Sequence, residues 1–138
     1  MSQAADLIRT MYDNFAAGDV PAVLAAMSPD IEWNEADDFI YADGNPYRGP
    51  EAVLNGVFAR CAGEWDGFGV VVEELLDAGD TPRGHTIVAL GHYVGTYKAT
   101  GTPQHTQMAH IWRIRDGKAV AFQQHANTLH VARVTGTA

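Results

Sequence analysis

Residues 104–127 read Q-H-T-Q-M-A-H-I-W-R-I-R-D-G-K-A-V-A-F-Q-Q-H-A-N, two runs of mixed polar and apolar residues on either side of Asp116-Gly117. An Asp-Gly pair between such runs is a strong hairpin signal, because a type I′ turn needs positive φ at both of its central residues. The stretch therefore predicts a β-hairpin, and its two-residue turn also predicts which residues face one another.

The register counted from this turn pairs Arg115 with Lys118, Trp112 with Ala121 and His110 with Gln123. Because side chains alternate between the faces of a sheet, the hairpin then has two unlike faces. The first is predicted to carry Met108, His110, Trp112, Gln123, His125 and Asn127. Its rings, imidazoles and amides are typical of the floor of a ligand pocket. The second carries Ile111, Val120 and Phe122 and is expected to pack on helices or on a second subunit.

Three helices are predicted ahead of this hairpin. Residues 3–17 carry an apolar stripe that stops near Gly18, and Asp19 is a suitable N-cap for a second, short helix. Pro50 opens a third helix that runs to about Ala62. Alternation predicts a strand over residues 30–35, and further strands are predicted over residues 67–78, 86–98, 104–115 and 119–129. Residues 36–49 are rich in Asp, Gly, Asn and Pro and are predicted to form a long loop that serves as a lid or pocket rim.

Helices followed by consecutive antiparallel strands predict one α+β domain over residues 1–138. We expect a curved antiparallel sheet with three N-terminal helices on its concave face, in the shape of a cone. The strand over residues 30–35 places Glu35 on the same face as Trp33. Glu35, Trp33, His110 and Trp112 are therefore expected to meet between the helices and the sheet.

Composition limits the function further. Of the 138 residues, 46% are hydrophobic, which is enough for the core of a single domain, and the formal net charge is −8. Such an acidic chain with scattered Lys and Arg is not expected to bind nucleic acid. We expect no membrane association and a cytoplasmic location, since the first residues lack a basic segment followed by an apolar run. The lone Cys61 lies at helical spacing among apolar residues and is expected to be a core residue.

Several segments resemble a known family. The strand end Trp33-Asn34-Glu35, the segment Pro46-Tyr47-Arg48-Gly49-Pro50-Glu51-Ala52-Val53 and the hairpin segment over residues 109–118 are similar to those of SnoaL-like proteins. These belong to the nuclear transport factor 2-like superfamily, which includes ketosteroid isomerases, polyketide cyclases and scytalone dehydratase. The resemblance implies the cone-shaped fold and leaves the function open, because this scaffold hosts enzymes, binding proteins and assembly modules.

The resemblance also implies roles for three side chains. Glu35 stands where ketosteroid isomerases have a general-base Asp, and His110 stands where they have a protonated Asp that binds the oxyanion. Tyr12, on the first helix, is the candidate for their oxyanion-binding Tyr. Many relatives have an acidic residue near the end of the last strand, where this chain has Asn127. Both Asp residues of the ketosteroid isomerases are thus replaced here, one by Glu35 and the other by His110.

Each candidate also has a purely structural interpretation. Glu35 is either a desolvated general base or a strand-end residue that pairs with an Arg such as Arg48. His110 is either a neutral hydrogen-bond donor to an oxyanion or a buried core residue. Tyr12 is either a hydrogen-bond donor to an oxyanion or an aromatic residue of the core. Substrate contacts are predicted for Trp33, Tyr47, Met108, Trp112, Gln123, His125 and Asn127.

The leading hypothesis is a small enzyme without a cofactor that moves a proton on a hydrophobic carbonyl compound, as an isomerase, cyclase or dehydratase. The alternative is a non-catalytic module that binds a small hydrophobic or aromatic ligand or supports dimerisation. A homodimer through the outer sheet face is expected in either case. No metal site is predicted, although Glu35, His110 and His125 form a minor candidate for a two-His-one-carboxylate set.

Overall fold

The computed structural model describes residues 2–138, and its helices lie mainly before the sheet. The helices are α1 (Gln3–Ala16), α2 (Val20–Ala25), α3 (Pro50–Val53), α4 (Ala59–Glu64) and α5 (Thr128–Thr135). The Asp19 side chain caps α2, as the sequence predicts, and the Ser2 hydroxyl caps α1. A π-helical segment, Leu54–Phe58, joins α3 to α4 without a break. Within residues 2–138, no helix is both long enough and apolar enough to cross a membrane.

Within residues 2–138, six strands form one sheet: β1 (Met27–Asn34), β2 (Tyr47–Arg48), β3 (Trp65–Thr81), β4 (Gly84–Tyr97), β5 (Thr102–Arg115) and β6 (Lys118–Ala126). Their order across the sheet is β2-β1-β6-β5-β4-β3. The predicted fold class is confirmed: the sheet is curved and unclosed, and the helices close over it as in a cone. One strand pair departs from the antiparallel expectation, because β1 runs parallel to β6.

The turn of the β5–β6 hairpin forms as predicted, with positive φ at Asp116 and Gly117. The predicted pairing of Arg115 with Lys118 is confirmed, but the predicted register is wrong from Arg113 onward. Ile114 faces Ala119 but Arg113 faces Ala121, so Val120 is an extra residue in β6. Such a bulge shifts every later partner by one position and reverses which side chains of β6 point inward.

The bulge changes which side chains point into the core along the rest of β6. Phe122 and Gln124, only 3% and 2% exposed, point into the core, where Phe122 pairs with Trp112 and Gln124 with His110. Gln123 and His125 face outward instead. The predicted apolar outer face therefore loses Phe122 and keeps the half-buried Ile111 and Val120.

The predicted end of the last strand is also wrong. Strand β6 stops at Ala126, and Asn127 is the N-cap of α5, where its side chain accepts a hydrogen bond from the His130 backbone N–H at 3.2 Å. Helix α5 ends at Gly136, which has a left-handed backbone conformation. Asn and Gly at these two positions are a helix start and stop signal.

Candidate functional site

A cavity of about 60 Å³ lies between the helices and the concave face of the sheet. Most of its wall is aromatic or aliphatic, with Phe39 contributed by the loop between β1 and β2. Its carboxyl, hydroxyl, imidazole and amide groups come from Tyr12, Glu35, Tyr93, His110 and Gln124. The space therefore combines an apolar wall with a few converging polar groups, as ligand sites do.

Glu35 follows β1 and enters this cavity as a buried carboxyl group, 3% exposed. Its backbone is held by Asn45, which accepts a hydrogen bond from Glu35 N at 2.9 Å and donates one to Glu35 O at 2.8 Å. Trp33 Nε1 donates to Glu35 Oε2 at 3.3 Å. Loss of hydration on burial raises the pKa of Glu35 to about 8, and the hydrogen bond from Trp33 and the charge of Arg60 only partly oppose this.

His110, on β5, bridges two tyrosine hydroxyl groups. Its Nδ1 lies 2.5 Å from the Tyr12 hydroxyl, and its Nε2 lies 2.5 Å from the Tyr93 hydroxyl. Burial lowers the pKa of His110 to about 3, so the ring is neutral at physiological pH. Because both ring nitrogens are engaged, the imidazole has no N–H left to offer a ligand directly.

Each tyrosine also receives a second hydrogen bond. Trp112 Nε1 donates to the Tyr12 hydroxyl at 2.9 Å, and Gln124 Nε2 donates to the Tyr93 hydroxyl at 2.7 Å. Gln124 Oε1 in turn accepts from the backbone N–H of Ala36 at 3.0 Å. Burial raises the pKa of both Tyr12 and Tyr93, so both phenols are protonated and able to donate.

The arrangement suits proton transfer. A carboxyl group with a pKa near 8 is present in both protonation states around neutral pH, as a general acid or base requires. Phenol groups in the same apolar space are suited to hydrogen-bond an oxygen on which negative charge develops. A neutral, buried imidazole adds no charge of its own to this chemistry.

Comparisons with known proteins agree with this architecture. The family model for the SnoaL-like domain matches residues 8–122. The chain belongs to this family. A search of curated proteins found no match.

Solved structures resemble this SnoaL-like domain over nearly its full length. An NTF2-like protein from Burkholderia thailandensis is 35% identical, with a TM-score of 0.88 and coverage of 97% of this chain and 98% of that one. An NTF2-like protein of unknown function from Burkholderia pseudomallei is 27% identical, with a TM-score of 0.85 and coverage of 98% of both chains. TerC, co-crystallised with polyporic acid, is 24% identical, with a TM-score of 0.84 and coverage of 98% of this chain and 99% of TerC.

The structure brings five of the sequence-predicted site residues together at the cavity of this SnoaL-like domain. They are Tyr12, Glu35, His110, Trp33 and Trp112. The alternative ion pair between Glu35 and Arg48 does not form, because Arg48 reaches the exposed Glu32 at 3.3 Å.

The other five predicted residues lie away from the cavity. Tyr47 packs outside its wall and donates its hydroxyl to the Tyr41 carbonyl at 2.7 Å, and Met108 is buried beyond the cavity lining. The bulge at Val120 turns Gln123 and His125 outward, and Asn127 caps α5. The candidate metal set is not assembled either, because His125 lies on the opposite sheet face from His110. Among residues 2–138, no three His, Cys, Asp or Glu side chains gather as a ligand set.

Three residues of the site escaped the sequence analysis. The sequence predicts Phe122 on the outer face and assigns no role to Gln124, because the bulge gives no clear signal in sequence. Tyr93 lies inside the predicted strand over residues 86–98, where alternation alone does not say which face is the concave one. The correct β4–β5 register pairs Tyr93 with the buried Thr106 and so places Tyr93 on the same sheet face as His110.

Proposed function

We propose that this SnoaL-like domain is a cofactor-independent enzyme that moves a proton at a carbon next to the carbonyl group of a small apolar compound. Glu35 takes the proton as general base. A phenol of Tyr12 or Tyr93 hydrogen-bonds the carbonyl oxygen as it becomes an enolate. Net reactions of this kind include isomerisation, cyclisation and dehydration, in which the proton returns at another atom or a leaving group departs.

The presence of Glu35 and the two phenols on one apolar cavity carries this proposal. A base and an oxyanion donor must reach the same small molecule, and both must be shielded from water for their electrostatic effect to be large. The role first assigned to His110 passes to the tyrosines, because His110 contacts the hydroxyl groups with both of its nitrogens.

The cavity size favours a compact ligand. A volume of about 60 Å³ is far below the roughly 300 Å³ at which pockets for drug-sized ligands begin. Larger ligands need outward movement of wall residues such as Phe39 on the loop or Phe58 on the π-helical segment. Two proteins of the same fold are described with small molecules bound: TerC with polyporic acid, and a ketosteroid isomerase-like protein from Catenulispora acidiphila with trimethylamine.

The test uses cyclopent-3-enone, a compact ketone whose conversion to the conjugated isomer changes its ultraviolet absorbance. Wild-type protein is expected to catalyse this conversion and to exchange the α-hydrogens for deuterium, as read by proton NMR. Glu35→Gln is expected to lower both rates by about 10² to 10⁴-fold, because the amide cannot accept the proton. The matched control is Glu32→Gln, which neutralises an exposed carboxylate on β1 and leaves the rates unchanged.

The same experiment separates the rival hypothesis. If the wild-type protein binds the ketone, as seen by quenching of tryptophan fluorescence, but exchanges no hydrogen, the domain is a binding module. Retained activity in Glu35→Gln would dismiss Glu35 as the base while leaving catalysis itself intact.

We also propose a homodimer through the outer sheet face. The half-buried Ile111 and Val120 give this face an apolar centre. They lie in a groove on this face that is also lined by two opposite charges, Asp30 and Arg113. A self-complementary pattern of this kind suits a two-fold interface, where each surface meets its own copy. Ile111→Arg is expected to shift the mass measured by light scattering from dimer to monomer, whereas Leu129→Arg, on the exposed side of α5, leaves it unchanged.

A further inference from the structure

The hydrogen atoms around His110 can be counted from its neighbours. The indole N–H of Trp112 is only a donor, so the Tyr12 oxygen always accepts from it. The Gln124 amide is oriented by Ala36, whose backbone N–H donates to Oε1, so Nε2 donates to the Tyr93 oxygen. Each phenol oxygen thus has one incoming hydrogen bond that does not depend on His110.

A neutral imidazole adds one further donor and one acceptor. With the proton on Nε2, His110 donates to Tyr93 and accepts from Tyr12. Tyr93 then accepts two hydrogen bonds, and its own proton has no partner within the network. With the proton on Nδ1 the pattern is reversed, and Tyr12 holds the unused proton. In either tautomer one phenol proton of the pair is left over.

We propose that His110 is a tautomeric switch that leaves one phenol proton, on either Tyr12 or Tyr93, free for a ligand oxygen in the cavity. Its kinetic consequences rest on the proposed function, whereas the switch itself is a property of the resting protein. His110 is then a positioning residue, since it acts through the two tyrosines and does not touch the ligand.

The switch defines the class of ligand. Apart from the carboxyl of Glu35, the network offers one free donor at a time, so it suits a compact apolar molecule with a single strong acceptor such as one carbonyl oxygen. The oxygen has two alternative positions, next to Tyr12 or next to Tyr93, and the imidazole proton moves to match. A ligand with two adjacent acceptors would leave one of them without a partner, at a cost in affinity.

The switch predicts an unusual result for single substitutions. In Tyr12→Phe the imidazole proton is expected to settle on Nε2, because a buried N–H without a partner is less tolerated than a lone pair without one. Tyr93 then accepts from His110 and Gln124, and its proton stays free. In Tyr93→Phe the proton settles on Nδ1 and Tyr12 keeps the free proton. Either tyrosine alone therefore preserves the donor.

Kinetics with cyclopent-3-enone test this redundancy. Each single variant is expected to lose about threefold or less in kcat/KM, whereas the double variant loses about 10²-fold or more, as when an oxyanion donor is removed. The double loss therefore exceeds the product of the single losses. Tyr97→Phe, on the same strand β4 but outside the cavity, is the control. If one single variant already shows the full loss, that tyrosine is the sole donor and the switch is overturned.

A second measurement needs no turnover. Long-range proton–nitrogen NMR of protein labelled in its histidines reports which ring nitrogen carries the proton, and His110→Gln assigns the signal. We expect Nε2–H in Tyr12→Phe and Nδ1–H in Tyr93→Phe. The same tautomer in both variants, or a charged ring, would overturn the switch. If Tyr93→Phe does not fold, Trp112→Phe replaces it and is also expected to favour Nδ1–H, because Tyr12 then lacks its other donor.

The two measurements keep the proposals apart. If the two variants show opposite tautomers but the wild-type protein exchanges no hydrogen, the switch stands and the proposed enzyme function is rejected. If exchange depends on Glu35 but both variants show the same tautomer, the enzyme function stands and the switch is rejected.

Discussion

Trp33 Nε1 lies 3.3 Å from Glu35 Oε2 and donates the one side-chain hydrogen bond that this carboxyl receives among residues 2–138. The indole is held in place by Phe122, whose ring stacks on it with a centroid separation of 3.7 Å. Residues two apart on a strand share a face, so β1 delivers the acid and its donor together. Trp33 is therefore part of the cavity wall, and its hydrogen bond also lowers the pKa of Glu35.

Trp33→Phe is expected to raise the pKa of Glu35 above about 8. A hydrogen bond to the carboxylate favours the charged form, so its loss leaves the effect of burial less opposed. The titration of Glu35 is measured by carbon-13 NMR of the labelled carboxyl group. Trp65→Phe is the control, since Trp65 Nε1 donates to the Tyr41 hydroxyl and not to Glu35. An unchanged or lower pKa in Trp33→Phe would contradict the assignment.

Glu35 is also expected to make stability fall as pH rises. Its folded pKa is raised from 4.5 to about 8, so its contribution is complete below pH 4.5 and is lost as pH rises to about 8. At 1.36 kcal/mol per pKa unit, the rise from 4.5 to about 8 corresponds to a total loss of about 5 kcal/mol, of which about 4 kcal/mol falls between pH 5 and 9. Urea unfolding at several pH values is expected to show Glu35→Gln gaining stability over wild type by this amount between pH 5 and 9. A constant difference would contradict a raised pKa.

His110 gives the opposite dependence at lower pH. Its folded pKa is lowered from 6.5 to about 3, so the unfolded chain binds the proton more readily in this range and stability is lost as pH falls below 6.5. Between pH 4.5 and 6.5 the slopes from Glu35 and His110 oppose each other. The comparison of Glu35→Gln with wild type isolates the Glu35 part, because His110 is present in both proteins.

The hairpin shows how far the sequence determines the fold. Asp116-Gly117 specifies its turn through backbone conformation, which is a local property, and the turn forms as predicted. The bulge at Val120 is not local, because it depends on which side of β6 fits the core. Only the assembled sheet shows that Phe122 fits against Trp33 and Trp112.

The residues of the site could be predicted where the alternation of a single strand decides which sheet face a side chain lies on. Trp33 and Glu35 reach the cavity from the end of β1, and His110 and Trp112 from β5, as the alternation of each strand predicts. Tyr93 and Gln124 were missed because their roles depend on hydrogen bonds between strands. A one-residue shift in register removes such partners, and the turn at residues 98–101 lacks an Asp-Gly pair that would fix the register from sequence.

Gly56→Ala is expected to destabilise the domain by about 2 to 3 kcal/mol. A Cβ at Gly56, in the π-helical segment, would lie 2.1 Å from Tyr47 Cε1, and the Tyr47 hydroxyl is fixed by the Tyr41 carbonyl at 2.7 Å. Gly63→Ala in α4 is the matched control, because nothing lies within 4 Å of its Cβ position. It is expected to be neutral or stabilising by up to about 1 kcal/mol. Thermal unfolding measures both, and equal effects would contradict the packing of Tyr47 against this helix.

Arg60, in α4, binds several groups of the loop that carries Phe39 and so holds this loop against the helices. Its guanidinium group binds both carboxylate oxygens of Asp43, at 2.7 and 3.2 Å, and lies 4.4 Å from the centre of the Tyr41 ring. It also donates to the carbonyl oxygens of Ile40 and Gly56 at 3.4 and 3.3 Å. Lysine keeps the charge but cannot reproduce this planar, two-pronged contact.

In Arg60→Lys the opening equilibrium of the loop is therefore expected to increase about fivefold, which corresponds to a loss of about 1 kcal/mol for a partly exposed pair. Hydrogen exchange of the Ala42 and Asn45 backbone N–H groups, which bond within the loop, measures this opening. Arg48→Lys provides the control, since its exposed pair with Glu32 holds no part of the loop. Because Phe39 lines the cavity, faster opening is also expected to speed ketone binding in stopped-flow fluorescence. Faster exchange without faster binding would show that the ligand enters elsewhere, and unchanged exchange would contradict the role of Arg60.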